Sequence, residues 1–524
     1  MRLRHVVFAL LVAIPWLWPF TSGPVASLQP YLMSVALAAV LLLVFRGGRE
    51  GQDAVAWGWL LAALVSSAIG LLQYFDVDRA LYPWVNQAAP GTAFGNLRQP
   101  NQLATLLVTG LLALRWLRQA QRLPAPAALA ASALLVAGLA ASASRIGLVA
   151  LVAVGAVALW WGVRAGEART GAVVWLTVLA AYVLAAWALP ALLQQGEGVA
   201  GRAMLDRLQN AESTCGSRLI LWSNVLDLIR QKPWSGWGWG DLAYAHYITL
   251  YDGPRFCHIL DNAHNLPLHL AVELGIPVAL FVCGLIAYAV WRGRPWAERD
   301  PTRQLAWGVL LAIGLHSLVE YPLWYGPFQI AVGLCIWMLW TTRPNQISAN
   351  SYEFASSGEQ EAGTPTRGPT ARRVRTVIAV LMLAAVAYVG WDYHRISQVY
   401  LPYDQRSARY KDDAMGHAKR SWLFADAVRF AEVTTRPATR DNAEWMLPEA
   451  LKALHFSPET RVITKVIESA TLLGQDRLAL AHLARFKAAF PAESQRWVED
   501  NRRMLDGARE AAGQAASPAS AASD

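Results

Sequence analysis

The chain has 524 residues, of which 55% are hydrophobic and only 16% are charged, and its mean hydropathy is +0.27. Soluble globular proteins carry about 25% charged residues, so this composition excludes that class and indicates a polytopic helical membrane protein. The net charge of +9 does not indicate nucleic-acid binding, because the arginines lie largely in short loops between apolar runs, where they set topology.

Apolar runs that can cross a bilayer repeat along the chain. We predict about eleven transmembrane helices, at residues 5–20, 29–46, 54–74, 101–117, 125–141, 146–163, 171–193, 264–291, 304–320, 326–341 and 374–391. The first run can also be interpreted as a signal peptide, but no clear small-x-small cleavage site follows it, which favours a retained span. Gly275-Ile276-Pro277 interrupts the run 264–291, which can therefore be two helices.

The arginines assign the loops to two sides of the membrane. With the N-terminus in the cytoplasm, every arginine-dense short loop falls on the inner side, as the positive-inside rule requires. The outer side then holds the loop 75–100, the turn 142–145, the long loop 194–263, the stretch 320–328 and everything after about residue 393. Nearly all the polar residues of chemical interest lie in these outer segments.

The chain divides into a transmembrane part over 1–343 and a separate C-terminal part. Residues 344–373 are rich in Ser, Gly, Glu, Thr and Pro without apolar periodicity, which is typical of a flexible cytoplasmic linker. A last span over 374–391 precedes 392–510, where apolar residues at helical spacing predict a soluble helical domain. The Ala/Ser-rich tail over 511–524 is predicted to be disordered. The predicted fold class is an all-α, polytopic helical membrane protein with a large outer loop and a C-terminal soluble helical domain.

Two outer segments at the starts of spans carry polar groups. Gln99-Pro100-Asn101 presents amides that suit sugar hydroxyls or a phosphate. An ordinary helix start is equally compatible, with Asn96 as a cap and Pro100 in the first turn. Arg145 follows a very short turn between two apolar runs. A charge so close to hydrocarbon is costly, so we favour a phosphate ligand over an arginine that only reaches the headgroups.

The long loop 194–263 contains an anion site and a cysteine pair. Arg218 stands at the beginning of a predicted amphipathic helix, a place that favours anions. The run from Gly236 to Gly240 lacks the Gly-Lys-Ser/Thr ending of a nucleotide loop, and we interpret it as a tight turn that lays tryptophans on the membrane surface. Cys215 and Cys257 lie on the oxidising side and are predicted to form a disulfide.

His264 is the predicted centre of the chemistry, because it stands between the long polar loop and an apolar run. Its polar neighbours in the sequence are Asp261, Asn262, Asn265 and Glu273. A metal site of His258, His264 and His269 is conceivable, but the spacing matches no helical face and no paired Cys or carboxylate set accompanies it. A general base or a phosphate-binding acid suits imidazole better.

Glu320-Tyr321-Pro322 ends a later span and opens an aromatic cluster. One interpretation is an aromatic belt at the membrane interface. The other is that Tyr321 contributes a hydroxyl, and Glu320 a carboxylate, to the same outer cavity as His264.

Together these motifs resemble the bacterial O-antigen ligase and O-oligosaccharyltransferase superfamily, over about residues 90–340. The motifs are Gln99-Pro-Asn-Gln, Ser144-Arg145, Ser217-Arg218-Leu-Ile-Leu-Trp, Pro233-Trp-Ser-Gly-Trp-Gly-Trp-Gly, Ala263-His264-Asn265-Leu and His316-Ser-Leu-Val-Glu-Tyr-Pro-Leu-Trp. Within the superfamily the chain is most similar to the pilin-type protein O-oligosaccharyltransferases, because of the Glu-Tyr-Pro-Leu-Trp ending and the C-terminal domain.

The resemblance implies a multi-pass glycosyltransferase of the bacterial inner membrane, whose active site, long loop and C-terminal domain face the periplasm. It would move a preassembled glycan en bloc from undecaprenyl-pyrophosphate to a Ser or Thr hydroxyl of a periplasmic or pilin-like protein. No metal, cofactor or nucleic acid is expected. An O-antigen ligase acting on lipid A–core, or an O-antigen polymerase, is the alternative within the superfamily. A transporter would need ionisable residues deep within spans, and few are present.

The resemblance also implies roles for single residues. His264 corresponds to the loop histidine of the family, as general base or pyrophosphate ligand, and Arg145 and Arg218 correspond to its phosphate-binding arginines. The expected substrate-binding residues are Gln99, Asn101, Asn265, Glu320 and Tyr321.

Overall fold

The computed structural model describes residues 3–21, 23–25, 27–44, 47–194, 215–342 and 369–515. These residues form α-helices and short 3-10 turns, and no β-strand occurs among them. The first seven helices are α1 (Leu3–Leu17), α2 (Leu28–Val44), α3 (Arg49–Tyr74), α4 (Pro100–Gln119), α5 (Ala125–Ala141), α6 (Arg145–Ala165) and α7 (Ala168–Gln194). The next seven are α8 (Arg218–Gln231), α9 (Leu242–Ile248), α10 (Leu266–Leu274), α11 (Ile276–Gly293), α12 (Pro301–Ser317), α13 (Gly326–Thr341) and α14 (Pro369–Ser397). The last six are α15 (Ala414–Ala418), α16 (Ala425–Thr435), α17 (Ala443–Phe456), α18 (Thr460–Leu472), α19 (Asp476–Ala489) and α20 (Pro491–Ala515).

The all-helical fold class is confirmed for the described residues, and each predicted apolar run overlaps a helix. By length and composition, five segments can cross a membrane: Arg49–Tyr74, Arg145–Ala165, Ala168–Leu193, Ile276–Ala297 and Arg372–Tyr400. Four shorter helices, α1, α2, α5 and α13, are also apolar. The number of about eleven spans stays a prediction.

The predicted run 264–291 is two helices, α10 and α11, which meet at Gly275. Gly275 has φ +88°, and a Cβ added there would lie 2.2 Å from the carbonyl oxygen of Trp234. Only glycine fits such a conformation and such an approach. The loop therefore reaches the α10–α11 junction directly, and the Ile276 amide donates to the carbonyl of Pro233 at 2.8 Å.

Parts of the domain prediction lie outside the described residues. This holds for the predicted linker up to residue 368, for 195–214 of the long loop, and for the tail from 516. After the predicted linker, α14 begins at Pro369, the first described residue there. Near the C-terminus, α20 extends to Ala515.

The described chain forms two compact units. The first comprises the described residues within 1–211, 264–266 and 284–400. Its centre is α3, which packs against α1, α4 and α5. Small residues allow the close crossing of α3 and α4: a Cβ on Gly110 would lie 2.4 Å from that of Ala63. Such small-residue contacts are typical of helices packed within a membrane.

The segment that leads into α4 is built around one buried amide, Gln73 near the end of α3. Its Nε2 donates to the carbonyls of Asn86 and Gly95, and its Oε1 accepts from the amides of Phe94 and Gly95. These four bonds hold the connection against the end of α3. They thereby set where α4 begins and where Gln99 and Asn101 lie.

The second compact unit comprises the described residues within 212–263, 267–283 and 401–524, so it combines the described part of the long loop with the C-terminal helices. Tyr247 of α9 is part of the same apolar core as Met446, Ile463 and Phe486 of the C-terminal helices. Its hydroxyl lies 2.9 Å from Nδ1 of His482. The core of the C-terminal helices therefore also includes a helix of the long loop.

Candidate active site

His264 lies just before α10, within the first unit. Its φ is +49°, in the left-handed region that residues with a Cβ seldom adopt and that costs about 1–3 kcal/mol. Such strain concentrates at functional sites. Asn265 helps to hold this conformation, because its Nδ2 donates to the carbonyl of Leu318 at 2.9 Å.

The His264 ring contacts a carboxylate. Its Nδ1 lies 2.7 Å from Oε2 of Glu320, which follows α12 and is 8% exposed. With Glu320 ionised, Nδ1 carries the proton and donates to the carboxylate, which leaves Nε2 as a proton acceptor. The same carboxylate stabilises the imidazolium after Nε2 takes a proton. A buried carboxylate oriented onto one ring nitrogen is the arrangement of a general base.

Asn101 of α4 contacts this carboxylate, and Ser144, the residue before α6, contacts Asn101. Asn101 Nδ2 donates to Oε1 of Glu320 at 3.4 Å, and Asn101 Oδ1 accepts from the Ser144 hydroxyl at 2.7 Å. Ser144 also caps α6, where its Oγ accepts from the amide of Gly147 at 3.0 Å. A continuous chain of hydrogen bonds thus runs from the start of α6 to His264.

Arg145 is the first residue of α6, directly after Ser144, and its side chain is exposed. The helix start that presents this guanidinium is therefore tied through Ser144 and Asn101 to the His264–Glu320 pair. A guanidinium at a helix N-terminus is suited to bind a phosphate group.

Tyr321 packs on the histidine from the aromatic cluster. Its ring centre is 5.0 Å from that of His264 at an interplanar angle of 75°, and it stacks on Tyr325 at 5.9 Å. The belt residues and the candidate site therefore share one location, and the two interpretations of this segment do not exclude each other.

Other predicted residues take different places. The Gln99 side chain accepts from the amide of Gln102 at 2.8 Å, as the cap of α4. Arg218 begins α8 in the second unit, after the cap residue Ser217. Glu273, one of the polar residues that follow His264 in the sequence, lies 3.5 Å from His269.

The structure pairs Cys215 with Cys257 in a disulfide inside the second unit, with Cα atoms 5.4 Å apart. Cys283 and Cys335 are free thiols. Within the described ranges, no three His, Cys, Asp or Glu side chains come close enough to hold a metal ion.

Sequence reasoning missed the supporting residues. The buried Thr105 hydroxyl, bonded to the carbonyl of Asn101, lies 3.0 Å from Nδ1 of His316. Ser144 was visible as part of Ser144-Arg145, but its bond to Asn101 joins helices whose relative placement no local pattern reveals. In the sequence these supporting residues show only as polar residues beside apolar ones. Many helices share that feature, so it does not identify a site.

Three family models match consecutive parts of the chain. A protein glycosylation ligase model matches residues 93–117, and an O-antigen ligase model matches 130–283. A model for the C-terminal part of virulence-factor membrane-bound polymerases matches 304–504. All three matches support the resemblance of the chain to the O-antigen ligase and O-oligosaccharyltransferase superfamily.

Individual relatives of this superfamily agree with that assignment. A general O-oligosaccharyltransferase and a ComP-specific O-oligosaccharyltransferase, both of Acinetobacter baylyi, are 26% and 23% identical. These matches cover 54% and 62% of this chain, but only 50% and 60% of the relatives. An O-antigen ligase of Pseudomonas aeruginosa is 26% identical over 59% of this chain and 67% of its own length.

The superfamily matches include every candidate residue. The glycosylation ligase match contains Gln99 and Asn101, and the O-antigen ligase match contains Arg145, Arg218 and His264. Glu320 and Tyr321 fall in the polymerase match. The resemblance inferred from the motifs is therefore confirmed at the level of the superfamily.

Proposed function

We propose that the chain is a protein O-oligosaccharyltransferase. It moves a preassembled glycan en bloc from undecaprenyl-pyrophosphate to a Ser or Thr hydroxyl of a periplasmic or pilin-like protein. The single observation that carries the chemistry is the 2.7 Å contact between His264 Nδ1 and Glu320 Oε2. Two relatives named as O-oligosaccharyltransferases support the choice of reaction.

In this mechanism His264 Nε2 removes the proton of the acceptor hydroxyl as its oxygen attacks the anomeric carbon. The bond between that carbon and the pyrophosphate oxygen breaks, and its electron pair leaves with the pyrophosphate. One displacement inverts the anomeric centre. Glu320 stabilises the positive charge on His264 through the same hydrogen bond, as the orienting carboxylate of a catalytic triad does.

Arg145 and Arg218 bind the pyrophosphate and stabilise the negative charge that grows on it. Both stand in the same local setting, as the first residue of a helix directly after a capping serine, Ser144 or Ser217. This setting adds the positive end of a helix dipole and backbone amides to each guanidinium.

The proposal includes a location. The chain is an inner-membrane protein with His264, the long loop and the C-terminal helices in the periplasm. The positive-inside distribution of arginines supports this orientation. A lipid-linked donor reaches the site from the bilayer, and a folded acceptor reaches it from water.

Intact-protein mass spectrometry tests the function. The full chain is co-expressed with a lipid-linked glycan and a pilin-like acceptor, and the acceptor mass is compared for wild type, His264→Ala and the control His258→Ala. We expect one glycan mass on the acceptor with wild type and His258→Ala, and a loss of about 100-fold or more with His264→Ala. Glycan on lipid A–core and never on protein would instead identify an O-antigen ligase.

A further inference from the structure

A basic cavity of about 880 Å³ lies where α1, α3 and α14 begin, within the first unit. Arg4 of α1 and Arg372 and Arg375 of α14 line it. Glu50 is the acidic residue among the described residues lining it, and it lies 3.5 Å from His5. The described lining therefore holds three arginines and one glutamate. The N-terminal ends of α1, α3 and α14 add positive potential, which the C-terminal end of α2, at Leu42 to Val44, offsets in part.

An apolar groove of about 610 Å³ adjoins this cavity, because Leu42 and Arg375 line both. It runs between α2, α13 and α14 along Tyr31, Ala38, Leu41, Leu334, Trp337 and Met382. From Tyr31 to Leu42 the helix rises about 16 Å, at 1.5 Å per residue. This is close to one leaflet of the hydrocarbon core, which is roughly 15 Å thick.

The cavity and the candidate active site lie at opposite ends of α3. The cavity contains Glu50 at the start of this helix, whereas Gln73 near its end holds the segment that leads to Gln99. Because α3 has 26 residues, its ends are about 39 Å apart. The cavity is therefore not part of the His264 site.

We propose that the cavity and the groove together bind one anionic glycerophospholipid of the bilayer. Its phosphate lies among Arg4, Arg372 and Arg375, and one acyl chain lies in the groove. Guanidinium groups bind phosphate oxygens through paired hydrogen bonds, and basic pockets between membrane helices are suited to anionic headgroups. The apolar groove explains why the occupant is a lipid and not a free phosphate. The proposal does not depend on the transferase activity.

Two pairs of variants separate headgroup from chain. Arg372→Gln/Arg375→Gln removes two guanidinium groups. Arg164→Gln/Arg169→Gln removes two arginines that do not line the cavity, one at the end of α6 and one at the start of α7. Gly333→Leu fills the groove, since no atom lies within 4 Å of a Cβ there, and Gly314→Leu is equally unhindered but lies outside the groove.

The full-length protein is exchanged into vesicles of equal phosphatidylglycerol and phosphatidylcholine, extracted, and analysed by native mass spectrometry for retained lipid. We expect one retained phosphatidylglycerol in wild type and in both controls. Arg372→Gln/Arg375→Gln and Gly333→Leu should each lower this occupancy roughly tenfold or more.

Two results would overturn the proposal. The first is that the test variants do not differ from their controls. Either all five proteins would retain phosphatidylglycerol equally, or the test variants and their controls would lose it equally. The second is displacement of the lipid by glycerol phosphate at similar concentration, together with an unaffected Gly333→Leu, because the site would then recognise a free phosphate. Thermal melting in detergent identifies any variant that fails to fold. If Gly333→Leu fails it is replaced by Gly333→Ala, and if Arg372→Gln/Arg375→Gln fails it is replaced by Arg375→Lys.

Discussion

At the residue scale, the candidate site separates two tasks between two kinds of side chain. His264 and Glu320 form a pair that can accept and stabilise a proton, whereas Arg145 stands at a helix start where a phosphate is favoured. The Ser144–Asn101 bond links the two, because Asn101 also donates to Glu320. Displacing either end therefore changes the geometry of the other.

Substitutions of Arg145 test whether this residue binds the phosphate of the donor. Arg145→Gln should lower transfer by about 100-fold, as expected when one donor to a developing charge is lost. Arg145→Lys should recover part of that loss, because it keeps the charge but not the planar fork. Arg164→Gln, at the other end of α6, should leave transfer unchanged. Initial rates against donor concentration measure these effects, and equal activity of Arg145→Gln and Arg164→Gln would contradict the role.

At the element scale, the long loop is held by backbone contacts at the α10–α11 junction. The amides of Trp237 and Gly238 donate to the carbonyls of Val272 and Glu273, both at 2.9 Å. The exposed Trp239 and the buried His269 meet edge to face on the same segment. Contacts this close depend on glycine, and they fix how the loop enters the helix that follows His264.

Gly275→Ala should destabilise this junction. Alanine would have to adopt a left-handed φ at this position, and its Cβ would collide with the carbonyl of Trp234. We therefore expect the free energy of unfolding to fall by more than about 1 kcal/mol and the melting temperature in detergent to decrease. Gly284→Ala in α11 is the control, since nothing lies within 4 Å of its Cβ. Identical melting of the two variants would show that the junction is not tightly packed.

The Cys215–Cys257 pair is a second constraint on the loop. Protein matured in the periplasm should expose no additional reactive thiol until it is reduced, after which two more cysteines should react beyond Cys283 and Cys335. Mass-shift labelling under denaturing conditions, with and without reductant, counts them. Four reactive thiols without reductant would rule the disulfide out.

At the scale of the whole molecule, two buried histidines lie where the loop helix α9 meets the C-terminal helices. Burial, reinforced by Arg255, lowers the pKa of His246 to about 3, and its ring contacts Tyr251 and the carbonyl of Phe256. Burial, with Arg485 nearby, lowers the pKa of His482 to about 4. Both rings are therefore neutral in the folded unit at neutral pH.

Acid should loosen this unit. Unfolded histidines titrate near pH 6.5, so below that pH the unfolded state binds more protons than the folded one. The stabilisation is complete above pH 6.5 and is lost as the pH falls to about 4 for His482 and to about 3 for His246, by roughly 1 kcal/mol per pH unit for each histidine. Limited proteolysis across this range measures it. His482→Gln keeps a partner for Tyr247 and should weaken the pH dependence; an unchanged profile would contradict the assignment.

Much of this architecture could be predicted from local patterns. Apolar runs located the helices, and the short turn before Arg145 and the amphipathic pattern after Arg218 indicated where two of them begin. Local patterns cannot report which distant segments meet. Glu320 was expected in the same cavity as His264, but its direct contact required the end of α12 to approach the start of α10. The core shared by Tyr247 and the C-terminal helices was equally hidden, because α9 is only seven residues long.

The most direct test of the central claim is a double-mutant cycle on His264 and Glu320. Single-turnover transfer is measured for His264→Ala, Glu320→Gln and the double variant, with intact folding checked by melting temperature. If the two side chains act as one unit, Glu320→Gln costs about 10- to 100-fold, and adding it to His264→Ala costs almost nothing more. Fully multiplicative losses, or a Glu320→Gln variant with wild-type rates, would contradict the claim that this pair carries the proton.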